Sequence, residues 1–341
     1  MDIKYKIVPE KKSRILILFL LITLNILLFL KYKIIYINNN FELEIYNSNY
    51  NNNNINLNYE NNSFGVIRRI DCPSCGLFSY FIVYLGCINK FIRFGYIPII
   101  DLESFPNIYN KMKANISSLN PWENFFNQPL GYTLENVKKR AKKIKYFECS
   151  PKNYRPSYKV FYNIILMNFW HNIAKIYIPI KSEILMEANN IKKLLFKGSK
   201  NILGILVRGT DYLALRPKGH PIPPKPTIVI KDIKEFDKNN NYDFYFISTE
   251  DDILREIFIK EFYCKIKYLV YNKKINYNKK QLLAYNEKIL GNIKYSKIYL
   301  LNIIILSKCI DLISAKTSGS IGIFILSNGF RHNKVYELGN Y

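Results

Sequence analysis

Cysteine, histidine and tryptophan are scarce in this sequence of 341 residues, which contains 6, 3 and 2 of them, respectively. So few cysteines exclude a disulfide scaffold as the source of the fold. One CxxC pair is present, formed by Cys72 and Cys75. A zinc site would need further ligands, but no second CxxC follows and the histidines are scattered. The pair is therefore predicted to be a local disulfide or two ordinary thiols, and no metal site is expected.

Two signatures of nucleotide binding are also missing. The sequence contains no GxxxxGK[ST] and no GxGxxG, which argues against P-loop enzymes and dinucleotide oxidoreductases. It also lacks an acidic pair with a clear metal role. Asp251 and Asp252 lie where a helix is predicted to begin, so their expected role is to cap that helix.

Acidic residues are few relative to basic ones: 26 Asp and Glu stand against 50 Lys and Arg, for a formal charge of +24. Such a surplus favours anionic partners, namely nucleic acid, a membrane surface or phosphate-bearing substrates. The lysines are spread along the chain, as an A+T-rich coding bias produces, and no nucleic-acid recognition motif accompanies them. We therefore expect no nucleic-acid partner. Hydrophobic residues make up 49% of the chain, which is enough for a sizeable core.

The amino-terminal region has the pattern of a membrane anchor. Residues 15–30 carry no charge, and as a helix they would span about 24 Å of a ~30 Å hydrocarbon core. Basic residues precede this stretch, which favours a cytoplasmic amino terminus. We predict a cytoplasmic tail at 1–14, an anchor at 15–37 and an Asn-rich stalk at 38–63. A cleaved signal peptide is the alternative, but no small-x-small cleavage site follows.

This organisation predicts a single-pass type II membrane protein, whose main part would lie in the ER or Golgi lumen if the cell is eukaryotic. The sequons that begin at Asn61 and Asn115 support a lumenal location only weakly, because such tripeptides arise often by chance in an Asn-rich chain.

The remaining chain is predicted to form two α/β domains, at 64–198 and 199–341, since helix-length segments alternate with short apolar strands. In the first domain we expect helices at 76–94 and 133–143, a strand at 96–101, and mostly helical structure over 158–195. In the second, the expected strands are 201–207, 242–247, 265–271 and 309–314. The expected helices there are 227–239, 253–262, one from 289 onward, and 321–327. This alternation is typical of a nucleotide-binding α/β domain with a parallel sheet.

Three predicted strands of the second domain end in polar loops. Ligands of open parallel sheets bind beyond the carboxyl ends of the strands. An arginine there offers a planar fork to phosphate oxygens, and small residues at a helix start expose backbone N–H groups. Carboxylates suit ribose hydroxyls or base N–H groups, so the set fits a nucleoside diphosphate. The loop residues are Arg208, Thr210 and Asp211; Ser248, Thr249, Glu250 and Asp251; and Thr317, Ser318, Gly319 and Ser320.

Each loop also has a simpler structural interpretation. Arg208 would pair with Asp211 on the surface, and the Thr317–Ser320 segment would only cap a helix. The occurrence of all three loops on strands of one sheet favours a binding site.

The same segments resemble the motifs of the fucosyltransferase superfamily, which includes alpha-1,2-, alpha-1,6- and protein O-fucosyltransferases. The similarity extends from about residue 65 to the end of the chain. The first motif is LGILVRGTDY at 203–212 with Gly219-His220-Pro221-Ile222. The second begins at Ser248 and the third at Thr317. Upstream segments that begin at Gly76, Ile97 and Asn120 resemble the amino-terminal half of related glycosyltransferases.

This resemblance implies a GT-B fold with two facing Rossmann-like domains, and inverting, metal-independent transfer from a nucleotide sugar, usually GDP-fucose. It places the donor diphosphate on Arg208 and extends the donor site to His220 and Gly76. The acceptor would be a glycan or glycoprotein, and no further cofactor is implied. Many members carry a His and a second Arg where this chain has Leu206 and Gly209, which bears on the identity of the donor sugar.

The general base is less defined by the sequence. Candidates on the acceptor side are Asp71, Asp101 and Glu123, and Asp211 is a further one. The predicted catalytic set is Arg208, Asp211 and Glu123. Two other functions stay open: a glycosyltransferase of the same fold that uses another nucleotide sugar, and a non-catalytic, membrane-tethered binder of sugars or nucleotides.

Overall fold

The computed structural model describes residues 57–110, 120–150, 155–270 and 289–341. Within it, Tyr59–Tyr341 forms one compact unit. The predicted tail at 1–14, the anchor at 15–37 and most of the stalk lie outside the described residues and stay predictions. In the ranges that the structure does describe, no helix is both long and apolar enough to cross a membrane.

The first sheet has three parallel strands in the order β2-β1-β3. They are β1 (Ser63–Arg68), β2 (Ile97–Ile100) and β3 (Lys143–Glu148). Helix α1 (Leu77–Ile92) connects β1 to β2, and 12 of its 16 residues are buried. The helix and β2 agree with the sequence prediction, whereas β1 and β3 were not predicted.

The edge of this sheet is closed by two amide side chains. Gln128 accepts a hydrogen bond from Ile100 N at 3.0 Å and donates one to Ile100 O at 2.8 Å. Asn120 donates to the same carbonyl at 2.6 Å and accepts from Leu102 N at 3.2 Å. Because unpaired backbone groups on a buried edge are costly, this segment has a structural role in addition to any role at the site.

Three more helices follow in this half: α2 (Leu134–Arg140), α3 (Ile164–Tyr177) and α4 (Ser182–Phe196). Thr133 caps α2 as predicted, since its side chain accepts a hydrogen bond from Asn136 N at 3.2 Å. The segment 158–195 was predicted to be mostly helical. It consists of a short 3-10 helix at Tyr158–Phe161 followed by α3 and α4.

The second sheet has five parallel strands in the order β6-β5-β4-β7-β8. The strands are β4 (Ile202–Leu206), β5 (Phe244–Ser248), β6 (Ile266–Tyr268), β7 (Asp311–Ala315) and β8 (Asn333–Tyr336). The helices are α5 (Thr210–Leu215), α6 (Pro226–Asn240), α7 (Asp252–Phe262), α8 (Ile289–Leu306) and α9 (Ser318–Leu326). The sequence predicted all of these except β8 and α5, the latter lying where a loop was expected.

Both faces of this sheet are covered, as a parallel sheet requires. Ile202 and Leu206 of β4 belong to a large core that also contains residues of α1, α8 and α9. Leu203 and Ile205, which point to the opposite face, pack with residues of α6 and α7. Because the central strand is apolar on both faces, it reads as one continuous hydrophobic run in the sequence.

Two disulfides are present among the six cysteines. The Cys72–Cys75 bond confirms one of the two interpretations of the CxxC pair. The second bond, Cys87–Cys149, was not predicted and joins α1 to the residue that follows β3. The two sheets lie on opposite sides of the predicted boundary near residue 199, while the large core contains residues from both sides. The boundary itself stays a prediction.

Candidate functional site

The three polar loops leave neighbouring strands of the second sheet. β4 is its central strand, with β5 on one side and β7 on the other. Leu206, near the end of β4, is in register with Ser248 of β5 and Ser314 of β7. Since all three strands are parallel, their carboxyl ends open at the same edge, which places the loops side by side as predicted.

Arg208 lies directly beyond β4 and is held from two directions. Its Nε atom is 3.3 Å from Glu250 Oε1, and the side chains are 24% and 17% exposed. The guanidinium carbon lies 4.5 Å from the centroid of the Tyr212 ring. The partly buried ion pair shows that Glu250 of the second loop contacts Arg208. The side chains of Thr210 and Asp211 lie outside the description, so the predicted pairing with Asp211 stays open.

Glu250 also organises the backbone of the first loop, because its Oε1 atom accepts a hydrogen bond from Gly209 N at 3.2 Å. Gly209 is in close contact with the second loop. A Cβ atom there would lie only 2.8 Å from the Cβ of Asp251 and would overlap the Asp251 carboxylate. The absence of a side chain at this position therefore allows the first two loops to pack together.

Two of the predicted loop residues have capping roles. Asp251 caps α7, as predicted, by accepting a hydrogen bond from Leu254 N at 3.0 Å. Thr317 caps α9 by accepting from Ser320 N at 3.1 Å, and the Ser320 hydroxyl bonds to Ala315 O. The hydroxyls of Thr317 and Ser320 thus stabilise the helix start. The amides of Ser318 and Gly319 lie in the first turn of α9, where backbone N–H groups have no intrahelical acceptor.

Tyr299 of α8 is a residue of this site that the sequence motifs did not indicate. Its hydroxyl lies against Gly319, where even a methyl group would overlap it. The charges of Arg208 and Glu250 both act on this hydroxyl. Burial is the main cause that raises the pKa of Tyr299 above its usual range. Tyrosine within an apolar helix carries no motif, so only the packing of α8 shows its role.

His220 is connected to the site through aromatic packing. Its ring lies 5.3 Å from the ring of Tyr212, which in turn faces Arg208. The loop that contains His220 is bound to the last residues of the chain, since Gly219 N donates to Tyr341 O and Tyr341 N to His220 O, both at 3.0 Å. His220 therefore reaches the site through its contact with Tyr212.

Gly76 and Glu123 come from the amino-terminal half. Gly76 lies at the start of α1, and the Phe78 ring two residues later packs on Gly322 of α9. Glu123 accepts a hydrogen bond from Gln128 at 3.1 Å. Burial raises the pKa of Glu123. The other groups that influence this pKa, of which Gln128 and Lys181 have the largest effects, all belong to the half of the chain before β4. The structure thus links the Gly76 segment to α9 but shows no contact, within the described residues, between Glu123 and Arg208.

The two other acidic candidates have different surroundings. Asp101 is fully buried, pairs with Arg68 at 2.7 Å and accepts hydrogen bonds from the amides of Glu103 and Ser104. This set occupies the carboxylate and fits a structural role. Asp71 is 42% exposed and pairs with Arg69 at 3.0 Å.

No group of three or more potential metal ligands occurs in the described parts of the chain. No protein-family model and no curated protein matches the sequence. Solved structures do match. One is POFUT1 in complex with GDP-fucose, with a TM-score of 0.51 and 8% identity, over 83% of this chain and 99% of that chain. Another is the fucosyltransferase NodZ from Bradyrhizobium, with a TM-score of 0.49 and 15% identity, over 78% and 94%.

The similarity to POFUT1 shows that this chain has the α/β, GT-B-like fold of fucosyltransferase-like glycosyltransferases. The resemblance predicted from the sequence motifs is thereby confirmed at the level of the fold. The finer arrangement, two Rossmann-like domains that face each other, stays a prediction.

Proposed function

We propose that this protein is a glycosyltransferase that takes its sugar from a nucleotide donor, most simply fucose from GDP-fucose, and transfers it to a glycan or glycoprotein. The observation that carries the proposal is the position of Arg208. It stands at the carboxyl end of the central strand and contacts Glu250 of the acidic loop after β5, and α9 begins at the same edge of the sheet, after the neighbouring strand β7. A diphosphate bound there would meet a cation and the amide groups of a helix start.

The proposed chemistry follows from these groups. As the bond between the sugar and the nucleotide breaks, negative charge grows on the diphosphate that leaves. Arg208 and the amides of Ser318 and Gly319 would stabilise that charge, which is the largest electrostatic contribution such a site can make. Glu250 and the neighbouring Asp251 provide acceptors for ribose hydroxyls or base N–H groups. The transfer would proceed with inversion and without a metal ion.

The donor proposal is tested by calorimetric titration of the full chain with GDP, in the presence and absence of a chelator. We expect binding under both conditions, because Arg208 supplies the positive charge that a metal ion would otherwise provide. If GDP binds only in the absence of the chelator, the proposed metal independence is wrong, although the protein still has a nucleotide-binding site. Absence of GDP binding under both conditions would overturn the proposal itself.

A different donor sugar is the second candidate, and one observation favours it. The chain has Leu206 and Gly209 where many fucosyltransferases have a His and a second Arg, and a side chain at Gly209 would overlap Asp251. A panel of nucleotide sugars, followed by nucleotide release in the presence of glycan acceptors, separates the candidates. Release from GDP-fucose alone supports the first, and release from another donor supports the second. Nucleotide binding without transfer to any acceptor supports the non-catalytic binder.

Glu123 is proposed as the base that activates the acceptor hydroxyl, with Asp211 as the other candidate. Burial holds the pKa of Glu123 above its usual value, which brings a carboxylate closer to the range where a base is efficient near neutral pH. A Glu123→Gln variant should lose the acidic limb of the pH–rate profile together with most of the turnover, but keep GDP affinity. An unchanged profile would move the role to Asp211.

We also propose that the protein is anchored by residues 15–37 with its main part in an oxidising, lumenal compartment. The two disulfides support this location, since such bonds persist mainly in oxidising environments. Asn61, the first residue of a sequon, is exposed. Sequencing of the mature amino terminus tests the anchor, because a terminus downstream of Leu30 would show cleavage.

A further inference from the structure

Arg208 lies over an aromatic ring as well as beside a carboxylate. Its guanidinium carbon is 4.5 Å from the centroid of the Tyr212 ring, within the range of a cation–π contact. Tyr212 belongs to α5, the short helix that begins two residues after Arg208. The first turn of this helix, in which Tyr212 N donates a hydrogen bond to Gly209 O at 3.0 Å, brings the ring back to the guanidinium.

The carboxylate and the ring affect the charge of Arg208 differently. Glu250 is an anion, so its ion pair offsets part of the positive charge. The tyrosine ring is neutral and attracts the cation through its quadrupole, so this contact orients the guanidinium and leaves its charge unchanged. A phosphate binds to the N–H donors in the plane of the guanidinium, whereas the ring attracts the charge as a whole. Tyr212 is therefore a suitable support for an arginine that binds phosphate.

Tyr212 is itself supported by His220. The two rings meet edge to face, with 83° between their planes and 5.3 Å between their centroids. Three backbone hydrogen bonds of 3.0 Å hold the His220 loop against residues 339–341. They run from Gly219 N to Tyr341 O, from Tyr341 N to His220 O and from Ile222 N to Gly339 O. The ring next to Arg208 is thus restricted by a second ring whose own backbone is fixed.

We propose that Tyr212 is a positioning residue of the donor site, whose ring, packed against His220, holds the Arg208 guanidinium in the orientation that binds the donor diphosphate. This role rests on the proposed function, since Arg208 is the group proposed to bind the diphosphate. Tyr212 acts through Arg208, and the role requires no contact between the ring and the donor.

The first experiment compares the GDP affinity of the full chain with that of Tyr212→Leu, which removes the ring, and of Tyr212→Phe, which keeps it. Affinity is measured by calorimetry, or by NMR titration where binding is weak. We expect Tyr212→Leu to bind GDP about 2- to 5-fold more weakly, the equivalent of the roughly 0.5–1 kcal/mol of a partly exposed cation–π contact. Tyr212→Phe should bind GDP within about 1.5-fold of the unaltered chain, because the ring over which Arg208 lies is retained.

The second experiment repeats the Tyr212→Leu substitution in an Arg208→Ala background. A residue that acts through Arg208 has little left to influence once that side chain is gone. The substitution should therefore change GDP affinity less than about 1.5-fold in this background. If the full loss persists there, Tyr212 acts independently of Arg208 and the positioning role is wrong.

Tyr146→Leu is the matched control. Tyr146 of the first sheet makes the same kind of contact, since the Arg68 guanidinium carbon lies 4.4 Å from the centroid of its ring, and its side chain is also accessible. This variant should keep GDP affinity even if its melting temperature falls. Equal loss of affinity in Tyr146→Leu and Tyr212→Leu would indicate a general loss of stability and overturn the proposal.

The remaining outcomes are also decisive. If the unaltered chain and Tyr212→Leu bind GDP equally well, the positioning role is wrong and the proposed function stands. If Tyr212→Phe binds as weakly as Tyr212→Leu, the ring is not the group that acts, and the role is again wrong; this comparison decides the matter if Arg208→Ala binds too weakly to measure. If the unaltered chain binds no GDP, the proposed function fails first, and the role of Tyr212 fails with it.

Discussion

Removal of the Arg208 side chain is the most direct perturbation of the proposed site. Arg208→Ala deletes the cation that faces the leaving diphosphate. We expect turnover to fall roughly 10²–10³-fold, the effect typical of losing one preorganised group that stabilises developing charge. Arg208→Lys should also be impaired, because lysine keeps the charge but not the planar fork that binds two phosphate oxygens.

The effect on stability should be small by comparison. Arg208 makes a partly exposed ion pair with Glu250, which contributes about 0–1 kcal/mol. Its guanidinium lies over Tyr212, a contact worth about 0.5–1 kcal/mol at an exposed site. Together these contacts amount to at most about 2 kcal/mol, which in a unit of about 280 residues lowers the melting temperature by roughly 2–4 °C.

Arg331→Ala provides a matched control within the same sheet. Arg331 pairs with the fully buried Asp311 and lies 6.0 Å from the ring of Tyr242, at the amino ends of the strands and opposite the proposed site. Its loss should lower the melting temperature at least as much, since a buried carboxylate loses its partner, but leave turnover unchanged.

The assay is transfer of labelled sugar under saturating donor, accompanied by thermal unfolding of each variant. Normal transfer by Arg208→Ala, with a melting temperature only a few degrees lower, would refute the reasoning. The guanidinium would then be a structural link between the first two loops and nothing more.

The remaining predictions concern stability and loop packing. Cys87→Ala removes the bond to Cys149, and by chain entropy for a loop of this length should lower the free energy of unfolding by about 4 kcal/mol, as measured by denaturant titration under oxidising conditions. Burial raises the pKa of Asp311, but the hydrogen bonds that its carboxylate accepts have a larger opposite effect. The net pKa of Asp311 is therefore below its usual value. The stability that this group contributes is therefore present above its unfolded pKa and lost as pH falls through the folded one, so melting scans should show a flatter acid dependence for Asp311→Asn. Gly209→Ala should weaken GDP binding in calorimetry, because the new methyl group overlaps Asp251 and separates the two loops; unchanged affinity would show that the loops adjust freely.

The second sheet was largely predictable, and the reason lies in its architecture. β4, β5 and β7 are buried on both faces, so β4 and β5 appear in the sequence as apolar runs that end in polar residues, and β7 appears as a shorter run that begins at the buried Asp311. Three strands were missed. One of them, β1, is the buried central strand of the first sheet, whereas β3 and β8 lie at sheet edges. β3 reads KIKYFE and is mostly exposed, and β8 has four residues of which one is buried. An edge strand needs apolar residues on fewer positions, and its hydrogen bonds to a distant strand leave no local pattern.

The caps were predictable because they are local. Asp251 and Thr317 each bond an amide three residues onward in the sequence, a distance over which the residue types alone decide the outcome. The contacts of Arg208 were not predictable in the same way. The sequence suggested Asp211 as an alternative partner on the surface, and that pairing stays open. The structure brings Glu250, 42 residues away along the chain, to Arg208 because β5 pairs with β4.

The sequence by itself therefore determined the buried strands of the second sheet, the polar loops at their ends and the arginine in the first loop, since hydrophobic runs and helix caps depend on residues a few positions apart. Only the tertiary structure decided which side chains surround that arginine. The strand order brings Glu250 to Arg208. The close contact between Gly209 and Asp251 explains why the first loop has a glycine there, and the packing of α8 against α9 places Tyr299 on Gly319. These contacts join residues far apart along the chain, so their formation depends on the complete fold and leaves no short-range signal in the sequence.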